Sequence, residues 1–219
     1  MSHAVDIIPK SESRRVERKL YQSYVKRILD IFLVLIALPA VLPMTLIIAL
    51  AIKRDGGPAF YSQARVGRNG EIFRMWKLRS MVVDAERKLD ELLDHDIAAR
   101  LEWIETQKLK RDPRITPLGQ LIRKTSLDEL PQLWNVLIGD MSLVGPRPFM
   151  PEQMELYPGD DYYRLRPGLT GLWQVHDRNG TSFAARAIFD ARYNAEVSFW
   201  TDMRVMFATV AVVARKTGY

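Results

Sequence analysis

The chain has 219 residues and a mass of 25.3 kDa, which suits one ordinary domain with room for an appendage and a core that needs no staples. It has no cysteine, so disulfide scaffolds, Cys-zinc sites and cysteine nucleophiles are excluded. With 47% hydrophobic and 26% charged residues it is not a disordered chain, and 32 Lys and Arg against 26 Asp and Glu leave a surplus of +6 that implies an anionic partner.

In chain order, residues 1–25 form a polar, basic tail (Arg14, Arg15, Arg18, Lys19), read as solvated or as lying helical on anionic headgroups. Residues 31–52 then run without a charge, IFLVLIALPAVLPMTLIIALAI. A straight helix of that length, at ~1.5 Å per residue, covers a hydrocarbon core of roughly 30 Å. A plain transmembrane span is the simplest reading, and two features argue against it. Pro39 and Pro43 sit near the middle, where each removes a backbone donor and favours a bend. Both flanks are basic, with Lys26 and Arg27 before the run and Lys53 and Arg54 after it, so a single crossing cannot put both on one face. The expectation is a re-entrant helix-break-helix over 26–54, broken at Pro39 and Pro43. A cleaved signal peptide fits poorly, because the run starts thirty residues in and no small-residue cleavage site follows it.

Beyond the run, Asp55-Gly56-Gly57-Pro58 is a turn, and two β-prone stretches around Asn69-Gly70 predict a hairpin. A period of two puts Lys77 and Arg79 on one face of its second strand. Residues 84–111 predict one or two charged amphipathic helices, 117–124 another helix and 128–138 a further one. Gly145 to Pro148 reads as a rigid loop, 151–157 as a short helix, and Gly168 to Gly180 as irregular. A last helix spans about 183–215; its apolar end, VMFATVAVVA, is too short to cross a membrane and reads as buried or interfacial.

The chain has no Walker loop, GxGxxG, HExxH or GxSxG, and His3, His95 and His176 are scattered. Asp94-His95-Asp96 has the DxD shape of a cation site, but it lies in a charged helical stretch where a solvated face is the simpler reading. The sharpest feature runs from Ser126 to Pro148, SLDELPQLWNVLIGDMSLVGPRP. Local capping explains Asp128 and Glu129 economically: Asp128 as N-cap puts Pro131 at N3, while Ser126 as cap with Glu129 as its capping-box partner puts Pro131 one position deeper. The chemical reading is a phosphoryl-transfer site. One carboxylate attacks phosphorus, the pair holds Mg²⁺, and Arg123, Lys124 and Arg147 neutralise phosphate charge.

KRILDI, MWKLRSM, DPRITPLG, RKTSLDELPQLWNVLIGDMSLVGPRP and RPGLTGLWQV, in that order, resemble the bacterial sugar transferase family, the monotopic polyprenyl-phosphate hexose-1-phosphate transferases. The resemblance covers roughly 26–219, looks like the family's minimal catalytic form, and is most similar to enzymes that start exopolysaccharide synthesis. It implies transfer of a hexose-1-phosphate, from a UDP-sugar (galactose or glucose) to undecaprenyl phosphate, with release of UMP. The dyad matching Asp128 and Glu129 implies an aspartyl phosphosugar intermediate with the Glu supporting Mg²⁺. Arg147 matches the basic residue of the GPRP loop. The segment from Arg166 to Val175, including Gln174, matches a stretch that the resemblance implies faces the nucleotide. Lys77, Arg79 and Arg123 complete the candidate substrate-binding set. Where the family's membrane segment often breaks at Ser-Pro, this chain has Leu42-Pro43, so the serine's hydrogen bond is missing and Pro39 is the candidate compensation.

The expected architecture is therefore α+β, mostly α: a monotopic membrane protein with a re-entrant helix, amphipathic interfacial helices and a small β-hairpin. A tail (1–25), the membrane helix (26–54) and a catalytic domain (55–219) follow one another, at the cytoplasmic face of the bacterial inner membrane. Membrane lipids are expected partners, nucleic acid is not, and a homodimer is left open. Two rival readings are a non-enzymatic lipid-binding surface protein and a metal-dependent glycosyltransferase using Asp94 and Asp96, which would release a nucleoside diphosphate.

Overall fold

A computed structural model describes residues 18–106, 109, 111–176 and 182–214. Arg14, Arg15 and Gly180 lie outside the described residues. In chain order the elements are α1 (Lys26–Ile52), β1 (Phe60–Val66), β2 (Ile72–Leu78), α2 (Ala85–His95), α3 (Ile97–Thr106), α4 (Pro117–Lys124) and α5 (Gln132–Ile138). β3 (Ser142–Val144), β4 (Gly168–Thr170), α6 (Leu172–His176), α7 (Arg186–Glu196) and α8 (Phe199–Ala214) follow. The mostly helical α+β class is as expected.

The apolar run forms one helix, continuous from Arg18 to Asp55 through a π-helical turn at Tyr21–Val25. It is long and apolar enough to cross a membrane. No non-helical residue interrupts it at Pro39 or Pro43, so the expected break is not an unwound segment. Each proline removes a backbone donor and crowds the carbonyl one turn earlier, which favours a bend that membrane helices tolerate.

The hairpin forms as predicted, β1 and β2 pairing antiparallel around Asn69 (φ 58°) and Gly70 (φ 81°). The predicted charged helices are two, α2 and α3, separated where Asp96 accepts from Ala99 N at 3.0 Å and caps α3. The long C-terminal helix is also two, because Val197 leaves the helical region (ψ 120°) and Ser198 restarts the chain by accepting from Thr201 N. The stretch read as irregular begins with β4 and α6, and β4 pairs in parallel with β3, Ser142 opposite Gly168 and Val144 opposite Thr170.

The chain forms two compact units. The first comprises the described residues up to Pro39, Gln63–Met75 and Gln132–Val212; the second comprises Ala40–Ser62, Trp76–Pro131 and the described residues from Val213. In the first, Tyr21, Val144, Leu165, Tyr193, Val197 and Val205 make one core, and Val66, Phe149, Tyr157 and Tyr162 an aromatic second. Lys26, counted from sequence as part of a basic flank, is buried and donates to Asp202 at 2.6 Å, an oxygen that Tyr21 also reaches. Arg27 donates to the carbonyls of Val136 and Leu137 at the end of α5, where a cation suits the helix dipole. Asp30 accepts from Ser142 Oγ (2.7 Å) and Leu143 N (3.1 Å), so the KRILDI motif anchors α1 to β3.

The second unit packs Ala49 and Ile52 of α1 against Ala59, Leu78 and Ile122, with Leu118 and Leu127 alongside. Its helix α4 has a Thr116 cap accepting from Gly119 N at 2.9 Å and proline at its first position, as its sequence dictates.

Candidate active site

The carboxylate pair is set by three local events. After α4, Ser126 takes a left-handed conformation (φ 57°) and turns the chain; a single 3₁₀ turn, Leu127–Glu129, follows; then Pro131, lacking a donor, interrupts the ladder before α5 begins at Gln132. The helix expected from 128 therefore starts four residues later, and neither Asp128 nor Ser126 caps it by its side chain. Leu127 packs into the core of the second unit and leaves the two carboxyls at the turn.

Lys77, at the end of β2, meets them. Its Nζ is 2.8 Å from Glu129 Oε1 and 3.7 Å from Asp128 Oδ2. Asp128 is 8% exposed. Burial pushes its carboxyl above the usual carboxylate range, Lys77 and Arg123 pull it back, and Glu129 pushes it further up. Arg123 is itself depressed by burial and donates Nε to Ser80 Oγ at 2.7 Å. The segment holding Ser80 is clamped to α4 by Thr116 N donating to Ser80 O (3.1 Å), by Val82 N donating to Arg114 O (2.8 Å), and by bare Gly119, where a Cβ would sit 1.8 Å from Ser80 O. Ser80 carried no functional reading from sequence; its only signal is its place in MWKLRSM.

Arg79 goes elsewhere. Its guanidinium grips Asp55 through two nitrogens and donates to the carbonyls of Pro58 and Met81, tying the strand end to the foot of α1. Asp94 pairs with Arg100 on the surface and Asp96 caps α3, which accounts for the DxD shape structurally.

The remaining candidates belong to the first unit. Three glycines bring the GPRP loop and the RPGLTG segment together: a Cβ on Gly145 would lie 2.3 Å from Arg166 O, one on Gly168 2.1 Å from Gly145 N, and one on Gly171 2.0 Å from Gly145 O. That closeness sets Arg147 over the ring of Trp173, 6.0 Å from its centroid. Arg166 donates Nε to Gly139 O at 3.0 Å, and burial with Arg68 and Arg27 nearby lowers its affinity for its proton. Gln174 is buried beside Trp173 in α6. Arg186, which no motif flagged, stacks on the same ring at 4.3 Å.

Residues 21–216 match the family described as Bacterial sugar transferase. The UDP-galactose-lipid carrier transferase of Erwinia amylovora is 49% identical over 197 residues, covering 89% of this chain and 41% of that protein. The undecaprenyl-phosphate galactose phosphotransferase of Salmonella typhimurium is 48% identical over 197 residues, with the same coverage of 89% and 41%. The exopolysaccharide production protein ExoY of Sinorhizobium fredii is 43% identical over 196 residues, covering 88% of this chain and 87% of that protein. The chain thus spans about two fifths of the first two relatives and most of the third.

Proposed function

For a chain that belongs to the bacterial sugar transferase family, we propose transfer of a hexose-1-phosphate from a UDP-sugar to undecaprenyl phosphate, with release of UMP. The observation that carries the reading is the buried Asp128 beside Glu129, both addressed by Lys77. A carboxylate oxygen of Asp128 attacks the phosphorus that bears the sugar. The bond from that phosphorus to UMP breaks, UMP leaves with the electron pair, and an aspartyl phosphosugar remains. A phosphate oxygen of undecaprenyl phosphate then attacks the same phosphorus and expels the carboxylate, giving the lipid diphosphosugar. Lys77 and Arg123 hold positive charge where negative charge accumulates. Galactose is the favoured sugar, because the two relatives at 49% and 48% identity are named for it.

Asp128 and Glu129 suit Mg²⁺: they are adjacent hard oxygen donors, and the ammonium of Lys77 already offsets their charge at that spot. Among the described residues no third His, Asp or Glu joins them, which leaves room for the waters and phosphate oxygens that Mg²⁺ prefers. When bound, the ion offsets charge on the pair and on the donor's phosphates.

Association with the membrane is supported by the exposed apolar side chains of α1 (Ile28, Phe32, Leu35, Ile36, Ile47, Leu50) and of α8 (Trp200, Phe207, Val210). Re-entrance of α1 from the cytoplasmic face, through a bend at the proline pair, is favoured because folded polar segments hold both its ends. Lys26, Arg27 and Asp30 secure one, and Asp55 with Arg79 secures the other.

The test is incubation of the full chain in lipid nanodiscs with a panel of UDP-sugars, with and without undecaprenyl phosphate. One sugar should release about one equivalent of UMP without lipid and leave a phosphosugar adduct in the intact mass. Release of UDP, or turnover with no adduct, overturns the mechanism.

A further inference from the structure

Arg123 stands in the last turn of α4, and a hydroxyl fixes its guanidinium. Nε donates to Ser80 Oγ at 2.7 Å, while neither Nη1 nor Nη2 has a hydrogen-bond partner among the described residues. No carboxylate comes within ion-pair distance of it among those residues. Asp112 is gripped by Arg114, whose Nε and Nη2 donate at 2.8 and 2.7 Å, and Asp128 has Lys77 at 3.7 Å. Both carboxylates favour the Arg123 cation from farther off, and burial opposes it. A guanidinium tied at Nε keeps its other edge, the parallel Nη1 and Nη2 donors, open for a phosphate.

Ser80 itself is held from both sides. Just before it, Arg79 N donates to Ala59 O at 2.8 Å; just after it, Met81 pairs antiparallel with Ile115. Its own carbonyl accepts from Thr116 N and lies against bare Gly119. Ser80 is 8% exposed, and among the described residues its Oγ serves Arg123 alone. Packing does not call for a hydroxyl there, since alanine fills nearly the same space. A hydroxyl is costly to bury unless it is hydrogen-bonded, and the bond to Arg123 is the one that offsets that cost.

We infer that Ser80 is a positioning residue for the transfer: by accepting from Nε it sets the plane of the Arg123 guanidinium and presents the Nη1 and Nη2 edge to the phosphate under attack by Asp128. Ser80 acts through Arg123 and touches no substrate. This rests on the phosphoryl-transfer reading above and adds to it the group that orients one of its cations. Orientation matters because a guanidinium is a planar fork, worth most when both its donors meet phosphate oxygens together. Freed from Ser80, it keeps its charge and still attracts an anionic donor, but it no longer meets the phosphoryl group in one geometry. The loss therefore falls on the rate at saturating donor rather than on the concentration that half-saturates.

The experiment is a double-mutant cycle on the full chain in nanodiscs, with Ser80→Ala, Arg123→Gln and the two combined, read by single-turnover adduct formation from UDP-galactose. Ser80→Ala should lower the saturating rate by about tenfold and leave the half-saturating concentration within about twofold. In the Arg123→Gln background the same substitution should change the rate by less than about twofold, because no guanidinium remains to be oriented. Ser80→Cys fills the hydroxyl's place but accepts weakly, so it should repeat the Ser80→Ala result with packing kept. Equal losses in the two backgrounds overturn the proposal, and so does a Ser80→Ala rate within twofold of wild type. A higher half-saturating concentration at an unchanged saturating rate also overturns it, by assigning Ser80 to donor binding. A second readout needs no donor: the Arg123 Nε–H resonance, identified as the nitrogen signal missing from Arg123→Gln, should exchange with solvent about tenfold faster in Ser80→Ala. Unchanged exchange overturns the contact. Faster exchange in a chain that forms no adduct removes the proposed reaction and leaves Ser80 holding Arg123, whereas an adduct indifferent to Ser80 removes only this role.

Discussion

Lys77 Nζ stands 2.8 Å from Glu129 Oε1 and 3.7 Å from Asp128 Oδ2, so one ammonium serves two neighbouring carboxylates at a turn that buries Asp128 and half-buries Glu129. It is the positive charge that most opposes the burial of Asp128, ahead of Arg123. A protonated carboxyl is a poor nucleophile, so adduct formation should rise with pH as Asp128 ionises. Lys77→Met removes a charge that favours ionisation and should move this rising limb to higher pH. The check is single-turnover adduct formation across pH; an unmoved limb would show that Lys77 does not tune Asp128.

Asp128→Asn keeps size and fold but cannot form an acyl phosphate, so adduct and turnover should both vanish. Glu129→Gln should slow adduct formation by about a hundredfold, as expected for losing one charge that supports phosphoryl transfer, and should raise the Mg²⁺ needed for half-maximal rate. Removing divalent cations with a chelator should stop wild-type turnover, and adding Mg²⁺ should restore it. Turnover by Asp128→Asn within tenfold of wild type would move the nucleophile elsewhere.

Gly119 has a mechanical role. A Cβ there would lie 1.8 Å from Ser80 O, a backbone atom that cannot swing aside. Gly119→Ala should lower stability by ~2 kcal/mol, as overpacking does, and should slow adduct formation because α4 carries Arg123. Thermal unfolding in nanodiscs, read beside adduct formation, checks both; a wild-type melting temperature contradicts the packing.

The absence of native cysteine makes topology directly readable. Leu20→Cys and Pro58→Cys lie beyond opposite ends of the apolar run, both at exposed positions. An impermeant thiol reagent should label both only from the cytoplasmic side. Labelling from opposite sides would establish a single crossing and sink re-entrance.

Asp190 couples stability to pH. Burial raises its carboxyl to about 6, although Tyr157 and Arg186 favour the ionised form. Because the folded value exceeds the unfolded one, this contribution is complete below about pH 4 and is lost as pH rises through about 6, on the order of 3 kcal/mol. Asp190→Asn should flatten the stability profile between those limits while still accepting from Tyr157. A slope in the variant equal to that of wild type would assign the pH dependence to another group.

What the sequence determined by itself was local. Thr116 before Pro117 starts α4, Asn69-Gly70 closes the hairpin, and an uncharged run makes a long helix, because capping, left-handed φ and apolar transfer act within a few residues. Asp128 and Glu129 were legible because they are neighbours in the chain. Only tertiary structure decided which basic residue meets them. The period of two gave Lys77 and Arg79 equal standing, yet Lys77 reaches Glu129 whereas Arg79 binds Asp55 at the foot of α1. The same holds for Lys26, which a flank count places among lipid headgroups but Asp202 holds inside the core, and for the parallel pairing of β3 with β4. Such partners are distant in sequence, and no local propensity encodes them. They form when burial makes an unpaired charge or backbone group costly enough to choose its partner.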